Sequence, residues 1–227
     1  MSKIALEFTT TACNRPSVLN ATYASYCKNL TGIDFSKSTV YLNVDPAPDS
    51  KNIQMVEEVA RKYFGTVIVN YSSSPNFAAA ALWCFSQVKG EFFFHLEDDW
   101  KLMKAINIHS MISKLGTSNL QCVLNKGRTS ITIKETGEPC FVPSLIATQY
   151  WKKYLTNFRL DINPEYQMKV LFKNKSTGLF KNRSIYYNPA QELSKDIGRS
   201  WLMANKLARS YTPGAKWSPW IKWRNKK

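Results

Sequence analysis

The run Phe92-Phe93-Phe94-His95-Leu96 ends in three consecutive carboxylates, Glu97-Asp98-Asp99, with Trp100 directly behind them. An oily strand that stops in three acids puts dense negative charge at a sheet's carboxyl edge, where like charges repel unless a cation or ligand offsets them. The pattern reads as an address for a metal and a diphosphate. Taken alone, it reads equally as a solvated acidic turn after a core strand.

What precedes the triplet is an alternation of strand-like and helix-like segments with short connections, the pattern of βαβ units and a largely parallel sheet. Strands are predicted over 4–9, 39–44, 66–70 and 92–96, and helices over 16–30, 52–64 and 76–88. Pro16 suits a first helical turn, where its missing N–H costs nothing. Ile53, Val56, Ala60 and Tyr63 recur at helical spacing and give the second helix one face for the sheet. Lys89-Gly90 ends the third helix before the Phe-rich strand. Beyond Trp100 the alternation weakens. The sequence predicts a helix over 104–115, a strand over 120–124, a hairpin from Ile131 with its turn at Thr136-Gly137, and a short extended piece between Pro139 and Pro143. Helices over 148–158 and 192–208 follow, then an irregular basic and aromatic tail over the last nineteen residues. No internal repeat or low-complexity linker is present, so the expected fold class is α/β in one compact unit.

Charge divides the chain. Residues 1–100 carry 8 Lys and Arg against 10 Asp and Glu, while residues 101–227 carry 23 against 6, within an overall formal charge of +15. A positive field on that scale raises the local concentration of polyanions and points to nucleic acid or an anionic membrane surface, or else to a highly soluble surface with no cognate polyanion. The five cysteines are odd in number, widely spaced and without a CxxC pair, which signals neither a disulfide framework nor a zinc site and predicts reduced thiols. No amino-terminal signal is seen, and the longest apolar run, Phe77 to Phe85, is too short to span a bilayer. A cytoplasmic protein is the expectation.

In order and spacing, residues 4–100 resemble a glycosyltransferase of the GT-A fold, family-2-like. The likeness is carried by the opening Thr9-Thr10-Thr11-Ala12-Cys13-Asn14-Arg15-Pro16, by Asp45 at the end of the second strand, by Asn76 opening the helix that leads into the fourth strand, and by Glu97-Asp98-Asp99 where that family keeps its DxD. The resemblance implies a mostly parallel central sheet flanked by helices. One GT-A domain would fill residues 1–227, with a nucleotide-sugar half over about 1–100 and a basic acceptor half over about 101–227. It also implies that Thr10, Thr11, Asn14, Arg15, Asp45, Asn76, Glu97 and Asp98 contact the donor and that Asp99, with Asp98, ligates Mn²⁺ or Mg²⁺. Hard oxygen ligands suit those cations, which offset the charge left on a departing diphosphate. The donor so implied is a UDP-sugar, UDP-glucose first. The chain departs from the family in lacking an arginine within the third helix and any QxxRW motif, which speaks against processive polysaccharide synthesis. His95 shares a strand face with Glu97 and reads as structural or, in the alternative, as a further metal ligand.

An inverting transfer needs a base to take the acceptor hydroxyl's proton, and the resemblance puts it downstream of the acids. Within Asp161-Ile162-Asn163-Pro164-Glu165, Glu165 is the first choice and Asp161 the second; the alternative is that Glu165 merely stabilises a helix amino terminus. In Lys195-Asp196-Ile197-Gly198-Arg199-Ser200-Trp201, a permissive glycine beside Arg199 offers a forked contact to the diphosphate, or else Asp196 and Arg199 pair on an ordinary helix. The tail from Lys216 to Lys227 interleaves tryptophans with cations. It reads as a nucleic-acid contact, as a headgroup-layer contact, or as tryptophans folding back on the core. Small, basic and stand-alone, the chain resembles phage-encoded DNA-modifying glycosyltransferases, which implies a hydroxymethylpyrimidine in DNA as acceptor. A glycan or lipid-carrier acceptor, a non-catalytic nucleic-acid binder on the same scaffold, and a nucleotidyltransferase are the competing readings; against the last, no basic glycine-rich loop follows the first strand.

Overall fold

The structure is a computed structural model that describes residues 2–46, 53–117, 119–124, 136–137, 140–156, 158–173, 184–188, 190–209 and 220–222. Its first half follows the sequence in element order, except that the first strand lies at Glu7–Cys13 and not over 4–9, so Thr9 to Cys13 belong to the strand and not to the loop after it. Strand β1 (Glu7–Cys13) leads into α1 (Pro16–Asn29), then a short β2 (Leu30–Thr31), β3 (Thr39–Asp45), α2 (Gln54–Arg61), β4 (Thr66–Tyr71), α3 (Phe77–Gln87) and β5 (Phe92–Glu97). Pro16 occupies the first turn of α1. Asn76 caps α3, its side-chain oxygen accepting from the Ala79 amide at 3.0 Å.

The second half is built of short strands: β6 (Trp100–Leu102), β7 (Ile106–Asn107), β8 (Gln121–Val123), β9 (Thr136–Gly137), β10 (Ser144–Ala147), β11 (Ser184–Tyr186), β12 (Ser194–Asp196), β13 (Leu207–Arg209) and β14 (Trp220–Lys222). Among them lie α4 (Ile108–Leu115), α5 (Thr148–Leu155), α6 (Pro164–Lys173) and α7 (Gly198–Ala204). The central sheet has the order β4-β3-β1-β5-β10-β8-β11-β9, with β10 and β9 running against the rest.

Strand alternation sorts β5 between two cores. Phe94 and Leu96 face the cluster under α1 and α2, where Phe8 touches Phe35, Phe64 and Phe94. Phe93 and His95 face the cluster under α3 and α5, where Phe85 packs on Phe93, His95, Phe141 and Trp151. His95 is completely buried, with Nδ1 3.0 Å from the Thr9 hydroxyl. Burial pushes its pKa down to about 3, which keeps the ring neutral.

Several expectations for the second half are corrected. The helix from 104 begins only at Ile108, because Leu102 and Ile106 are taken up in strand pairing and Asn107 caps the helix through the His109 amide at 2.8 Å. Thr136-Gly137 is not a turn but an edge strand against Ile185 and Ser184; Ile131 lies outside the described residues. No helix spans 192–208: Ser194–Asp196 pairs with Trp100–Leu102, and the helix is confined to Gly198–Ala204. Within the tail, Trp220–Lys222 is not irregular but pairs antiparallel with Leu207–Arg209; the rest of Lys216 to Lys227 lies outside the described residues. Among the described residues no helix is long and apolar enough to cross a membrane.

Candidate functional site

The chain runs from β1 outward to β3 and β4 and then returns to β5 on the other side of β1, so the sheet changes direction between β1 and β5. Loops diverge at such a point and leave a crevice at the carboxyl ends of the strands. Cys13 and Asp45 end their strands side by side, and Glu97 stands opposite Thr11.

Asp98 is the hub of this edge. It is 3% exposed, and its Oδ2 accepts from Arg15 Nε at 3.0 Å and from the Cys13 amide at 3.1 Å. Arg15 Nη2 donates to its Oδ1. Its own amide donates to the Thr11 carbonyl at 3.2 Å, and its carbonyl accepts from the Thr22 hydroxyl at 2.7 Å. With both carboxylate oxygens accepting hydrogen bonds, Asp98 ties the end of β5 to the end of β1. The same geometry corrects Arg15: its side chain is turned inward onto the acids and buried. Desolvation alone would lower its pKa, and the neighbouring carboxylates Asp98 and Asp99 more than reverse this, so Arg15 stays charged.

Asp99 lies beside the hub, 6% exposed, with Oδ2 3.1 Å from Arg15 Nη2. The segment that carries Arg199 packs on Asp99. The Ile197 amide donates to the Asp99 carbonyl at 2.8 Å. Gly198 packs so closely that a Cβ there would lie 2.0 Å from Asp99 Oδ2. Trp201 places its ring 5.5 Å from the Arg15 guanidinium carbon, a cation–π contact. Asp196 accepts from the Gly198 amide at 2.9 Å and lies 3.4 Å from Arg199 Nε. Arg199 itself is largely exposed, with 86% of its side chain in solvent.

The remaining residues divide. Thr10 is fully buried within β1, its hydroxyl accepting from Tyr23 at 2.9 Å, so it belongs to the core and not to a ligand site. Thr11 and Asn14 sit at the edge itself, nearly buried. Asp45 accepts from Asn43 Nδ2 at 2.9 Å and from the Asn76 amide at 3.1 Å, and burial raises its pKa. Asn76 Nδ2 also donates to the Leu160 carbonyl at 3.4 Å, which brings the 158–165 loop to this corner. Within that loop Arg159 grips Asp161 through two bonds of 2.9 and 2.7 Å. Glu165 is in the first turn of α6, where Asn163 Oδ1 caps its amide at 2.9 Å. The Thr22 hydroxyl, the Cys13 amide and the Trp201 contact escaped sequence reasoning. Each acts across more than seventy positions, and only the Gly198 beside Arg199 gave a local signal.

A divalent cation fits this edge by its donor chemistry. Glu97 and Asp99 are hard carboxylates two positions apart, and the Asp99 carboxylate occupies the space that a Cβ on Gly198 would take. Among the described residues no cluster of three or more metal-ligating side chains occurs. One or two carboxylates with substrate phosphates and water completing the shell is the usual arrangement for Mg²⁺.

No family model and no curated protein matches the sequence. Solved structures do. Residues 1–349 of S. aureus TarS in complex with UDP superpose with a TM-score of 0.58 at 14% identity, over 85% of this chain and 60% of that one. The mannosyltransferase PcManGT from Pyrobaculum calidifontis, in complex with GDP-Man and Mn²⁺, gives 0.62 at 11%, over 89% and 61%. The inositol-1-phosphate CTP transferase from T. maritima gives 0.52 at 12%, over 87% and 91%. The chain spans 36–60% of the length of the TarS chains it matches. At these identities the likeness defines the fold, which is that of the GT-A glycosyltransferases.

Proposed function

We propose that this chain is a metal-dependent glycosyltransferase that moves a hexose from a UDP-sugar to a hydroxyl on an acidic acceptor. The observation that supports this most is the acid loop at the sheet's switch point, where Arg15 and Asp98 lock Asp99 at the carboxyl edge. Asp99 is the metal ligand, with Glu97 beside it. The bound Mn²⁺ or Mg²⁺ supplies positive charge to the departing diphosphate without a proton.

The chain's own residues do the rest. Asp45, with Thr11 and Asn14, lines the corner for the nucleotide, and Asn76 ties that corner to the loop of Asp161 and Glu165. Asp161 is held by Arg159, so Glu165 is the base that takes the acceptor proton in an inverting transfer. The UDP of TarS and the GDP-Man with Mn²⁺ of PcManGT, on the same fold, support a nucleotide-sugar donor. The concentration of positive charge in residues 101–227 supports a polyanionic acceptor. A hydroxymethylpyrimidine in DNA is an acceptor that joins polyanion and hydroxyl in one molecule. Residues 1–100 form the nucleotide-sugar half of a single domain and residues 101–227 its acceptor half.

The test is incubation with UDP-glucose and Mn²⁺ over DNA containing hydroxymethylcytosine, hydroxymethyluracil or neither, read by nucleoside mass spectrometry. Hexose on a hydroxymethylated base is expected. UDP-glucose consumption with no hexose on any DNA removes the acceptor and keeps the transferase. A nucleotidyltransferase, the activity named for the T. maritima neighbour that this chain nearly matches in length, predicts release of pyrophosphate from a nucleoside triphosphate instead.

A further inference from the structure

The ribbon that carries the acid loop also carries a like-charge pair. Strands β6 and β12 run antiparallel with Ser194 opposite Leu102, Lys195 opposite Lys101 and Asp196 opposite Trp100. Ladder bonds continue past both ends, from the Met103 amide to the Leu193 carbonyl and from the Ile197 amide to the Asp99 carbonyl, each 2.8 Å. The ribbon is therefore unbroken from Asp99 to Met103. Leu102, Ser194 and Trp100 are buried, whereas Lys101 is partly buried and Lys195 exposed. The two lysines consequently rise together from the outer face, with Cβ atoms about 5 Å apart as in any directly opposed pair.

Like charges directly opposite on a sheet oppose its formation. No carboxylate among the described residues lies within ion-pair distance of either ammonium. Two cations in that arrangement suit an anion placed between them. Lys101 is two positions from Asp99, or about 7 Å of strand.

The ribbon's side of the loop is also informative. It packs on α1, where the Leu102 amide donates to Ser25 Oγ at 2.9 Å and Asn29 Nδ2 donates to the Leu102 carbonyl at 2.8 Å. The corner of Asp45 and Asn76 belongs instead to α3, which packs on the opposite face of the sheet. The donor corner and the lysine pair thus flank the acid loop from opposite sides.

We propose that Lys101 and Lys195 form a phosphate-binding subsite that seats the phosphodiester backbone of the acceptor next to the acid loop. The proposal rests on the glycosyltransferase reading above and deepens it, by assigning residues to the acceptor and a phosphodiester to its chemistry.

The test measures binding of a fluorescein-labelled 20-base-pair DNA across a salt series and, separately, of UDP with Mn²⁺ by calorimetry. It compares wild type with Lys101→Ala/Lys195→Ala and with Lys62→Ala/Lys89→Ala, which removes equal charge at the opposite edge of the sheet. The ribbon variant is expected to weaken DNA binding about tenfold near 0.1 M salt and to lower the slope of log Kd against log salt by about 2, with UDP affinity unchanged. DNA affinity and slope equal to those of the Lys62/Lys89 variant overturn the subsite. Loss of UDP affinity with DNA binding retained overturns it in favour of the donor diphosphate. Loss on phosphatidylglycerol vesicles with none on DNA overturns it in favour of a lipid surface. A wild-type chain that binds DNA through these lysines but no UDP keeps the subsite and removes the transferase reading.

Discussion

Arg15 and Asp98, 83 positions apart, form a buried two-pronged ion pair within the acid loop, with Nε 3.0 Å from Oδ2 and Nη2 on Oδ1. The pair joins the end of β1 to the end of β5, the two strands between which the sheet changes direction. A buried pair of this kind adds little stability over a well-packed apolar pair, but removing one partner strands the other's charge. Arg15→Ala should therefore cost about 3–5 kcal/mol, measured as the shift of the urea midpoint. Arg15→Met combined with Asp98→Leu should recover most of that loss. Additive losses in the double variant would show that the two side chains are not coupled.

Gly198 is the second position where space is decisive. A methyl group there meets the Asp99 carboxylate, so Gly198→Ala must displace Asp99 or the start of α7. Mn²⁺-dependent UDP affinity should fall about tenfold or more, as expected when a ligand carboxylate loses its fixed position. Ser200→Ala, on the exposed side of the same helix, should leave that affinity unchanged. Calorimetry on the two variants side by side decides it.

His95 makes stability depend on pH. Its native pKa of about 3 lies below the unfolded value of 6.5, so between those limits the unfolded chain binds a proton that the native chain does not. Stability from this group is present above pH 6.5 and is lost as pH falls toward 3, at up to about 1.4 kcal/mol per pH unit. Unfolding free energy measured in urea at pH 7, 6, 5 and 4 should show this slope. His95→Gln should flatten it, while remaining less stable at pH 7.

The candidate bases separate by their partners. Asp161 is occupied by Arg159, whereas Glu165 stands at the amino terminus of α6. Glu165→Gln should lower kcat by about 10²–10⁴-fold with UDP affinity retained, and Asp161→Asn should change kcat by much less. The reverse order would move the proton transfer to Asp161.

The first half of the fold was legible because its signals are local. Central strands covered on both faces must be oily, so β3 and β5 emerge within a residue or two of their ends, as do the β-branched edge strand β4 and the helix α1 opened by Pro16. The second half was not. Its strands are two to four residues long, and a segment such as Ser194–Asp196 becomes a strand only because Trp100–Leu102 offers it a free edge more than ninety positions earlier. The acid triplet was legible as a site, since charge at the end of a buried strand needs a reason. The division of labour inside it was not, because whether Arg15 points at a ligand or at Asp98 depends on a contact made between two ends of the sheet.

The central claim is that Asp99 grips a divalent cation that neutralises a nucleotide diphosphate. Calorimetric titration of UDP into wild type and Asp99→Asn, each with Mn²⁺ and with EDTA, tests it most directly. Wild type should bind UDP about tenfold or more tightly with Mn²⁺ than with EDTA, and Asp99→Asn should lose that difference while its thermal unfolding stays cooperative. Equal UDP affinity with Mn²⁺ and EDTA in wild type, or an undiminished Mn²⁺ effect in Asp99→Asn, would contradict the account.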